Sequence, residues 1–389
     1  MKRILFVDDE PAILDGLRHV LRPERKRWEM EFADGGEAAL ELMAQRPFDV
    51  IVTDMRMPGM DGLAVLRHVR RSFPSVARIV LSGYADLAAV AQASSVAHQY
   101  LLKPCEADAL RRAVERALRL QDLLSSEALR RAVGGLGTLP SGPRVYQALS
   151  AALGDPDVDV KKLAAIVQQD VGVSARVLQF VNSAYFGLSR RVTSIEAAIV
   201  CLGLNALRHL ALTQEVFKAF PGISEATFAA LEHHAALTAR IARRLTTEAH
   251  QVEIAFAAGL LHDAGRIVLM SRASEGFARA ADEARRRGVP LIAMEKEILG
   301  ATHAEVGGYL LGLWELPHEL VDPVAFHHDA ERLAAGGFET VHVVAAADLL
   351  AHEVADGDGE GSAALEALPF NDRLTGWREI ARAEARRMS

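Results

Sequence analysis

Between Lys2 and about Ser126, short aliphatic and β-branched runs alternate with stretches of helical spacing, and this alternation constrains the fold more than any other feature. The runs fall at 4–7, 29–32, 50–53, 79–81 and 100–102. Parallel strands need a crossover of a dozen or more residues, usually a helix, so strands alternating with helices imply a parallel sheet covered on both faces. The predicted N-terminal architecture is an α/β doubly wound, five-stranded parallel sheet.

After Lys103-Pro104 the pattern changes to one long amphipathic stretch. Leu110, Val114, Leu118 and Leu124 recur near helical spacing, with Arg111, Arg112, Glu115, Arg116 and Arg119 between them. This predicts the last helix of the first domain running on unbroken into a linker. Gly134-Gly135-Leu136-Gly137-Thr138-Leu139-Pro140 and Gly142-Pro143 then break helix and mark a boundary. Beyond them the chain reads as helix through to Arg387, interrupted at Asp356-Gly357-Asp358-Gly359-Glu360-Gly361, which reads as a solvated loop. The expected organisation is an α/β domain over 1–120, a helical linker over 121–137, an all-α domain over 138–352, and a C-terminal loop and helix over 353–389.

A length of 389 residues suits two or three domains. Half of the residues are hydrophobic, and the net charge of -7 offers no general attraction to nucleic acid or anionic membrane. A DNA-binding output is therefore disfavoured, and the basic run from Arg378 to Arg387 reads as a solvated face. No apolar run looks long enough to span a membrane, and the start, MKRILFVDDE, meets two acids before an apolar signal region could form, so a cytoplasmic location is expected. Cys105 and Cys201 lack a C-x-x-C partner and read as two buried free thiols.

In an open parallel sheet, ligands sit at the carboxyl ends of the strands. Asp8 and Asp9 follow the first run, Asp54 ends the third, Ser82 the fourth, and Lys103-Pro104 the fifth. Three converging carboxylates repel one another unless a cation joins them, and hard oxygen ligands suit Mg²⁺. Asp54 is the expected nucleophile toward a phosphoryl donor, with Asp9 and Asp54 as Mg²⁺ ligands and Asp8 supporting through its charge. Lys103 and Ser82 would receive the phosphoryl oxygens.

VDDE, TDMRMPGMDG, LSGYAD and YLLKP resemble, in order, the motifs of the response-regulator receiver family over residues 2 to 120. The resemblance implies that Arg56 supplies a backbone carbonyl to the metal. It also implies that Tyr100 is an aromatic switch, turning inward when Ser82 moves toward the phosphoryl group.

LGTLPSGPRVYQAL, VQQDVGVSARVLQFVNSAYFG and TSIEAAIVCLGLNALRHLAL, over 136 to 212, resemble the opening of the HDOD output domain. Asp170 and Asn182 in this region read as caps or turn formers rather than catalytic groups. Downstream lie His234, His262-Asp263 in LLHDAGRIVL, His303, His327-His328, and Asp348 in AAADLLAHE. Ile241 and Leu245 share a helical face with His234, whereas Arg240 and Arg244 take those places relative to His233, so His234 is expected to point inward.

The order of these groups is similar to that of the HD phosphohydrolase superfamily. The resemblance implies one metal on His234, His262, Asp263 and Asp348, and a second on Asp263, His303, His327 and His328. Mn²⁺, Fe²⁺ or Zn²⁺ would suit such donors. HHDAERLAAGGFET lacks the Gly-Tyr-Pro signature of the cyclic-dinucleotide phosphodiesterases, and Arg266 stands where a lysine is usual.

These features imply a two-component response regulator, phosphorylated on Asp54 by a sensor histidine kinase or small phosphodonor. It would signal through its HDOD domain to an unidentified downstream protein, with a homodimer as one arrangement. The alternative is a metal-dependent phosphohydrolase acting on a nucleotide or cyclic dinucleotide.

Overall fold

A computed structural model of the chain describes residues 1–389 except 84–92, 94–95, 125, 137–138, 140–142, 156–157, 184–185, 187, 189, 213–222, 247, 330–338, 357–364, 366–372 and 389. The chain divides into two compact units. One comprises Met1–Thr138 with the short segments Gln179–Arg190 and Leu313–Glu315; the other comprises Leu139–Leu178, Arg191–Gly312 and Leu316–Ser389.

In the first unit, β1 (Lys2–Val7), β2 (Trp28–Ala33), β3 (Val50–Asp54), β4 (Ala77–Ser82) and β5 (Gln99–Leu102) form a parallel sheet in the order β2-β1-β3-β4-β5. Each run expected from the sequence lies within one of these strands. Helices α1 (Pro11–Val20), α2 (Gly36–Gln45), α3 (Gly62–Ser72) and α4 (Ala107–Leu123) accompany the sheet. Ile4, Phe6, Val50, Val52, Ile79 and Leu81 pack with Leu110, Val114 and Leu118 of α4 in one buried cluster. Each such side chain contributes roughly 1.5–3 kcal/mol on burial, so this layer fixes the strand ends. The strand order reverses at β1, and Val7 pairs with Thr53, which brings the carboxyl ends of β1 and β3 side by side.

The amphipathic stretch after β5 is not continuous. At Leu124 the backbone turns extended (φ -106°, ψ 103°), and a new helix, α5 (Glu127–Gly134), starts at Ser126. The Ser126 hydroxyl accepts the Leu129 N–H. A serine that can satisfy a free amide of a new first turn makes restarting the helix as favourable as continuing it.

Arg78 of β4 is fully buried. Its guanidinium donates to the carbonyls of Val96, Val76 and Gly134, while its backbone N–H donates to His98 Nδ1 at 3.0 Å. The last turn of α5 thus ends on a buried cation, a favourable partner for unpaired helix carbonyls. Only glycine fits there, because a Cβ at 134 would lie 2.0 Å from the Pro74 carbonyl oxygen.

The described part of the second unit is helical: α6 (Pro143–Leu153), α7 (Val160–Val167), α8 (Val171–Val181), α9 (Ile195–Leu212), α10 (Glu225–Leu245), α11 (Ala249–Leu261), α12 (Ala264–Arg272), α13 (Ser274–Arg287), α14 (Leu291–Leu299), α15 (His303–Leu313), α16 (His318–Phe326), α17 (Thr340–Asp356) and α18 (Leu374–Met388). Leu237 and Ile241 of α10, Ala255 of α11, Val343, Ala347 and Leu350 of α17, and Trp377 of α18 form its main cluster.

Several expectations change here. Gln251–Arg272 is, by length and composition, long and apolar enough to cross a membrane, but 83% of its most apolar window is buried. A helix apolar on all sides can be a core helix, which is what α11 and α12 are. Cys201 is exposed and Cys105 only partly covered, so neither is a fully buried thiol; Cys201 shares the outer side of α9 with Val200, 63% exposed. Asp170 caps α8, its Oδ1 accepting the Val173 N–H at 2.8 Å. It also faces Glu232, whose carboxyl is raised by burial and by Asp170's charge. Asn182 is buried in the turn after α8. The acidic glycine-rich loop expected after Asp356 lies outside the described residues, as does most of the stretch after His328.

Candidate functional sites

The ends of β1, β3 and β5 converge on one amine. Lys103 Nζ lies 2.6 Å from Asp8 Oδ2 and 2.6 Å from Asp54 Oδ1. Burial opposes the lysine's charge, but hydrogen bonds to Asp54 and Asp8 outweigh it and raise its pKa. Asp54 is held from the other side by the Arg56 N–H on Oδ2, at 2.6 Å. Asp8 Oδ1 accepts the Glu10 N–H at 3.0 Å, and Asp9 is partly exposed beside it. Ser82 is buried at the end of β4, with its carbonyl accepting the Lys103 N–H at 2.8 Å. Tyr100, paired in register with Val80, is buried as well. The Lys103–Pro104 peptide is cis. Carboxylate, amine and hydroxyl thus meet at the strand ends, the donor set that oxygen-ligated Mg²⁺ and a phosphoryl group require.

The second concentration of chemistry lies among α10, α11, α12, α15, α16 and α17. His262 is fully buried and His327 nearly so. Their Nδ1–H groups donate to the carbonyls of Gly259 (2.6 Å) and Val324 (2.9 Å) one turn back. That contact leaves the Nε2 of each ring facing inward. Neither Nε2 has a hydrogen-bond partner.

Around them, His234 Nε2 lies 2.9 Å from Asp348 Oδ1 and His262 Nε2 3.4 Å from the same oxygen. His303 Nε2 lies 3.3 Å from Asp263 Oδ1 and 2.9 Å from His328 Nε2. Three sets bring their donor atoms within 4.8 Å of one another: His234 with His262 and Asp348, His303 with His327 and His328, and His262 with Asp263 and His327. All seven groups expected from the sequence therefore meet in one region, while His233 is exposed. Asp263 stands between the first two sets without belonging to either.

Charge balance points the same way. Burial alone would favour neutral forms, yet Asp263 stays well below the ordinary carboxylate range because Arg266, His262 and His303 surround it. Asp348 is held down likewise by His234 and His262. Burial opposes a charge on His262 too, but Asp263 and Asp348 override it and raise its pKa to about 9. The pocket selects for positive charge between these two carboxylates. Buried imidazole nitrogens without partners beside carboxylates fit a divalent transition metal.

Two contributors escaped the sequence reading, Glu295 and His352, and a third, Arg266, was marked there only as a departure from the usual lysine. Glu295, fully buried on α14, accepts both the backbone N–H and the Nδ1–H of His303, each at 2.8 Å; nothing in its spacing marks it among the acids. Arg266 is more than a replaced lysine, since its Nη1 donates to Asp263 Oδ2 at 2.8 Å. His352 lies 3.5 Å from Asp348 Oδ1, and its place four residues after Asp348 was a usable signal. Gly265 makes the arrangement possible. A Cβ there would lie 1.9 Å from the His303 carbonyl oxygen, so only glycine lets α12 approach α15 closely enough to bring Asp263 to His303.

Comparison with known proteins identifies both domains. Residues 4–115 match the response regulator receiver domain, and residues 139–330 match the HDOD domain. The chain is 39% identical over 124 residues to the hydrogenase transcriptional regulatory protein HoxA of Cupriavidus necator, covering 31% of this chain and 25% of HoxA. It is similar in structure to the MmoQ response regulator of Methylococcus capsulatus, at 26% identity and TM-score 0.45, covering 64% of this chain and 92% of that one. A virulence factor of Campylobacter jejuni shares the fold at 17% identity and TM-score 0.52, covering 67% of this chain and all of its own. A receiver domain followed by an HDOD domain places the chain in the response regulator family.

Proposed function

We propose that this protein is a phosphorylation-controlled signalling regulator in which Asp54 accepts a phosphoryl group and the HDOD domain delivers the output through contact with another protein. The domains would run as 1–120 receiver, 121–137 linker, 138–352 HDOD domain and 353–389 C-terminal segment. The observation that carries this reading is the convergence of Asp8, Asp54 and Lys103 within 2.6 Å contacts at three strand ends.

An Asp54 carboxylate oxygen attacks the phosphorus of a phosphohistidine on a sensor kinase, or of a small acyl phosphate. The new O–P bond forms as the donor's P–N or P–O bond breaks, and the leaving group takes the electron pair. Lys103 holds Asp54 in place and neutralises the incoming phosphoryl oxygens. Ser82 presents its hydroxyl from β4, and Tyr100 on the neighbouring strand follows it. Mg²⁺, held by Asp9, Asp54 and the Arg56 carbonyl with Asp8 in support, would supply charge neutralisation of the transferring group.

In the HDOD domain, His234, His262 and Asp348 would hold a divalent metal such as Mn²⁺, Fe²⁺ or Zn²⁺. Asp263, His303, His327 and His328 form a second candidate set. The same cluster supports a second reading, hydrolysis of a nucleotide or cyclic dinucleotide, since a divalent ion there could activate water.

The test is incubation of the full chain with acetyl phosphate and Mg²⁺, followed by intact mass and small-angle scattering. One added phosphoryl group with a changed scattering profile, from domain rearrangement or dimerisation, supports the reading. Labelling without any change in scattering or in captured partners would refute control of output by phosphorylation.

A further inference from the structure

We propose that Glu295 is a positioning residue for an ion held by His303, His327 and His328, aiming the His303 ring at that ion and lending it negative charge. The proposal rests on the metal-binding reading above and concerns a residue outside either set of donors.

Glu295 lies on α14 and His303 opens α15, with Gly300, Ala301 and Thr302 between the two helices. The Glu295 side chain is fully buried and that of His303 nearly so. Glu295 Oε2 accepts the His303 backbone N–H at 2.8 Å and stands 2.8 Å from Nδ1, with Oε1 2.9 Å from the same ring nitrogen. One carboxylate thus grips both the main chain and the ring of one residue, which leaves the ring little freedom to turn. A carboxylate only accepts, so Nδ1 carries the proton. In the neutral ring that a metal needs, the lone pair is then on Nε2. That nitrogen lies 2.9 Å from His328 Nε2, and the donor atoms of His303, His327 and His328 all fall within 4.8 Å of one another.

Capping of α15 does not account for a buried acid here. Thr302 Oγ1 accepts the Glu305 N–H at 3.2 Å while Glu305 Oε2 accepts the Thr302 N–H at 2.9 Å, a reciprocal cap that the helix start supplies for itself. The His303 N–H then asks only for a neutral acceptor, whereas a carboxylate taken out of water is unfavourable unless it is paired. An imidazole that holds a divalent ion on its far nitrogen provides that pairing, because the ion's positive charge acts on the carboxylate through the ring. The three imidazoles bring no negative charge of their own, and Asp263, 3.3 Å from His303 Nε2, is shared with Arg266. Glu295 supplies charge from behind His303 and raises the basicity of its ligand nitrogen. Imidazole donors of this kind suit Zn²⁺ or Co²⁺ better than Mg²⁺.

The test uses the full chain, stripped with a chelator and titrated with Co²⁺, following the visible absorption that is lost in His303→Ala. Glu295→Gln keeps an acceptor of the same shape without the charge, and Glu295→Leu removes both. Metal-free Glu295→Gln should unfold near the wild-type urea midpoint yet bind this Co²⁺ about tenfold more weakly, and Glu295→Leu should approach about 100-fold, the range for removing a partner behind a metal-bound histidine. Nitrogen NMR of histidine-labelled, metal-free wild type at about pH 8.5, where an ordinary imidazole is neutral, should show the His303 proton on Nδ1. Wild-type Co²⁺ affinity in both Glu295 variants, whatever their stability, would make Glu295 a helix cap only and overturn the proposal, as would a wild-type His303 whose Nδ1 is bare. Co²⁺ absorption that survives whole in His303→Ala would overturn it too, while leaving metal binding intact. A wild type that binds no Co²⁺ would overturn the metal-binding reading itself and this proposal with it.

Discussion

Lys103 Nζ stands 2.6 Å from Asp54 Oδ1. Asp8 and Asp54 each meet the lysine and a backbone N–H, but Asp54 is the one that ends β3, the middle strand of the sheet. Asp54→Asn should therefore take up no phosphoryl group from acetyl phosphate. Lys103→Ala should slow labelling on the order of 10²-fold, as expected when one donor to a transferring group is lost. Equal labelling of Asp54→Asn and wild type by intact mass would show the acceptor is elsewhere.

The HDOD cluster should bind a divalent metal and turn over cyclic di-GMP slowly or not at all. The buried Nε2 atoms of His262 and His327 have no hydrogen-bond partner, and a buried polar atom left unsatisfied costs about 1–3 kcal/mol, which favours an occupied site. Metal content by mass spectrometry should fall in His262→Ala combined with Asp263→Ala, and equal content would refute binding there. Robust turnover with added Mn²⁺, abolished by the same pair, would make the domain an enzyme.

Gly265→Ala tests how close helix packing builds this cluster. The added methyl would meet the His303 carbonyl oxygen at 1.9 Å, backbone that cannot move without displacing α12 or α15. A destabilisation of about 1–3 kcal/mol or more is expected, together with weaker metal retention, because Asp263 and His303 lie on the two displaced elements. Unchanged urea midpoint and metal content would contradict the close approach.

Arg78→Met should loosen the α5 helix. Removing the guanidinium strips donors from the buried carbonyls of Val96 and Gly134, and each unsatisfied group costs about 1–3 kcal/mol. Hydrogen exchange should accelerate across Glu127–Gly134 more than across β1 or β3. Uniform exchange throughout the receiver would argue against a local tie.

His98 sets a pH dependence. Burial and the neighbouring Arg78 charge hold its pKa well below the usual imidazole range, although the Gly134 carbonyl pulls the other way. Below about pH 6.5 the unfolded imidazole is protonated while the folded one is not, so unfolding takes up a proton. This contribution is fully present above that pH and is lost as pH falls through it and below. His98→Asn should flatten the decline in urea midpoint by about one proton's slope between about pH 7 and 5. An equally steep decline in the variant would assign it to other groups.

The strand runs, their β-α order and the residues at the strand ends were legible in the chain, because period and punctuation are local properties of sequence. The inward turn of His234 could be read from residues two and three turns away. Where the linker helix breaks could not, since Leu124 and Ser126 fit a helix by periodicity, and the restart depends on a cap competing with a continuing turn.

By itself, the sequence determined the architecture of a parallel α/β domain followed by helices, and the types of donor available to each site. Only the tertiary structure decided which donors share an atom. Asp263 is engaged by Arg266, His303 by the buried Glu295, and Asp348 by His352 as well as His234 and His262. These partners come from different helices or from turns of one helix, and their meeting depends on close approaches such as that of Gly265 to His303. Helix periodicity gives the face on which a residue lies, whereas the distance between two faces is set by how side chains of many elements pack, which no local pattern encodes.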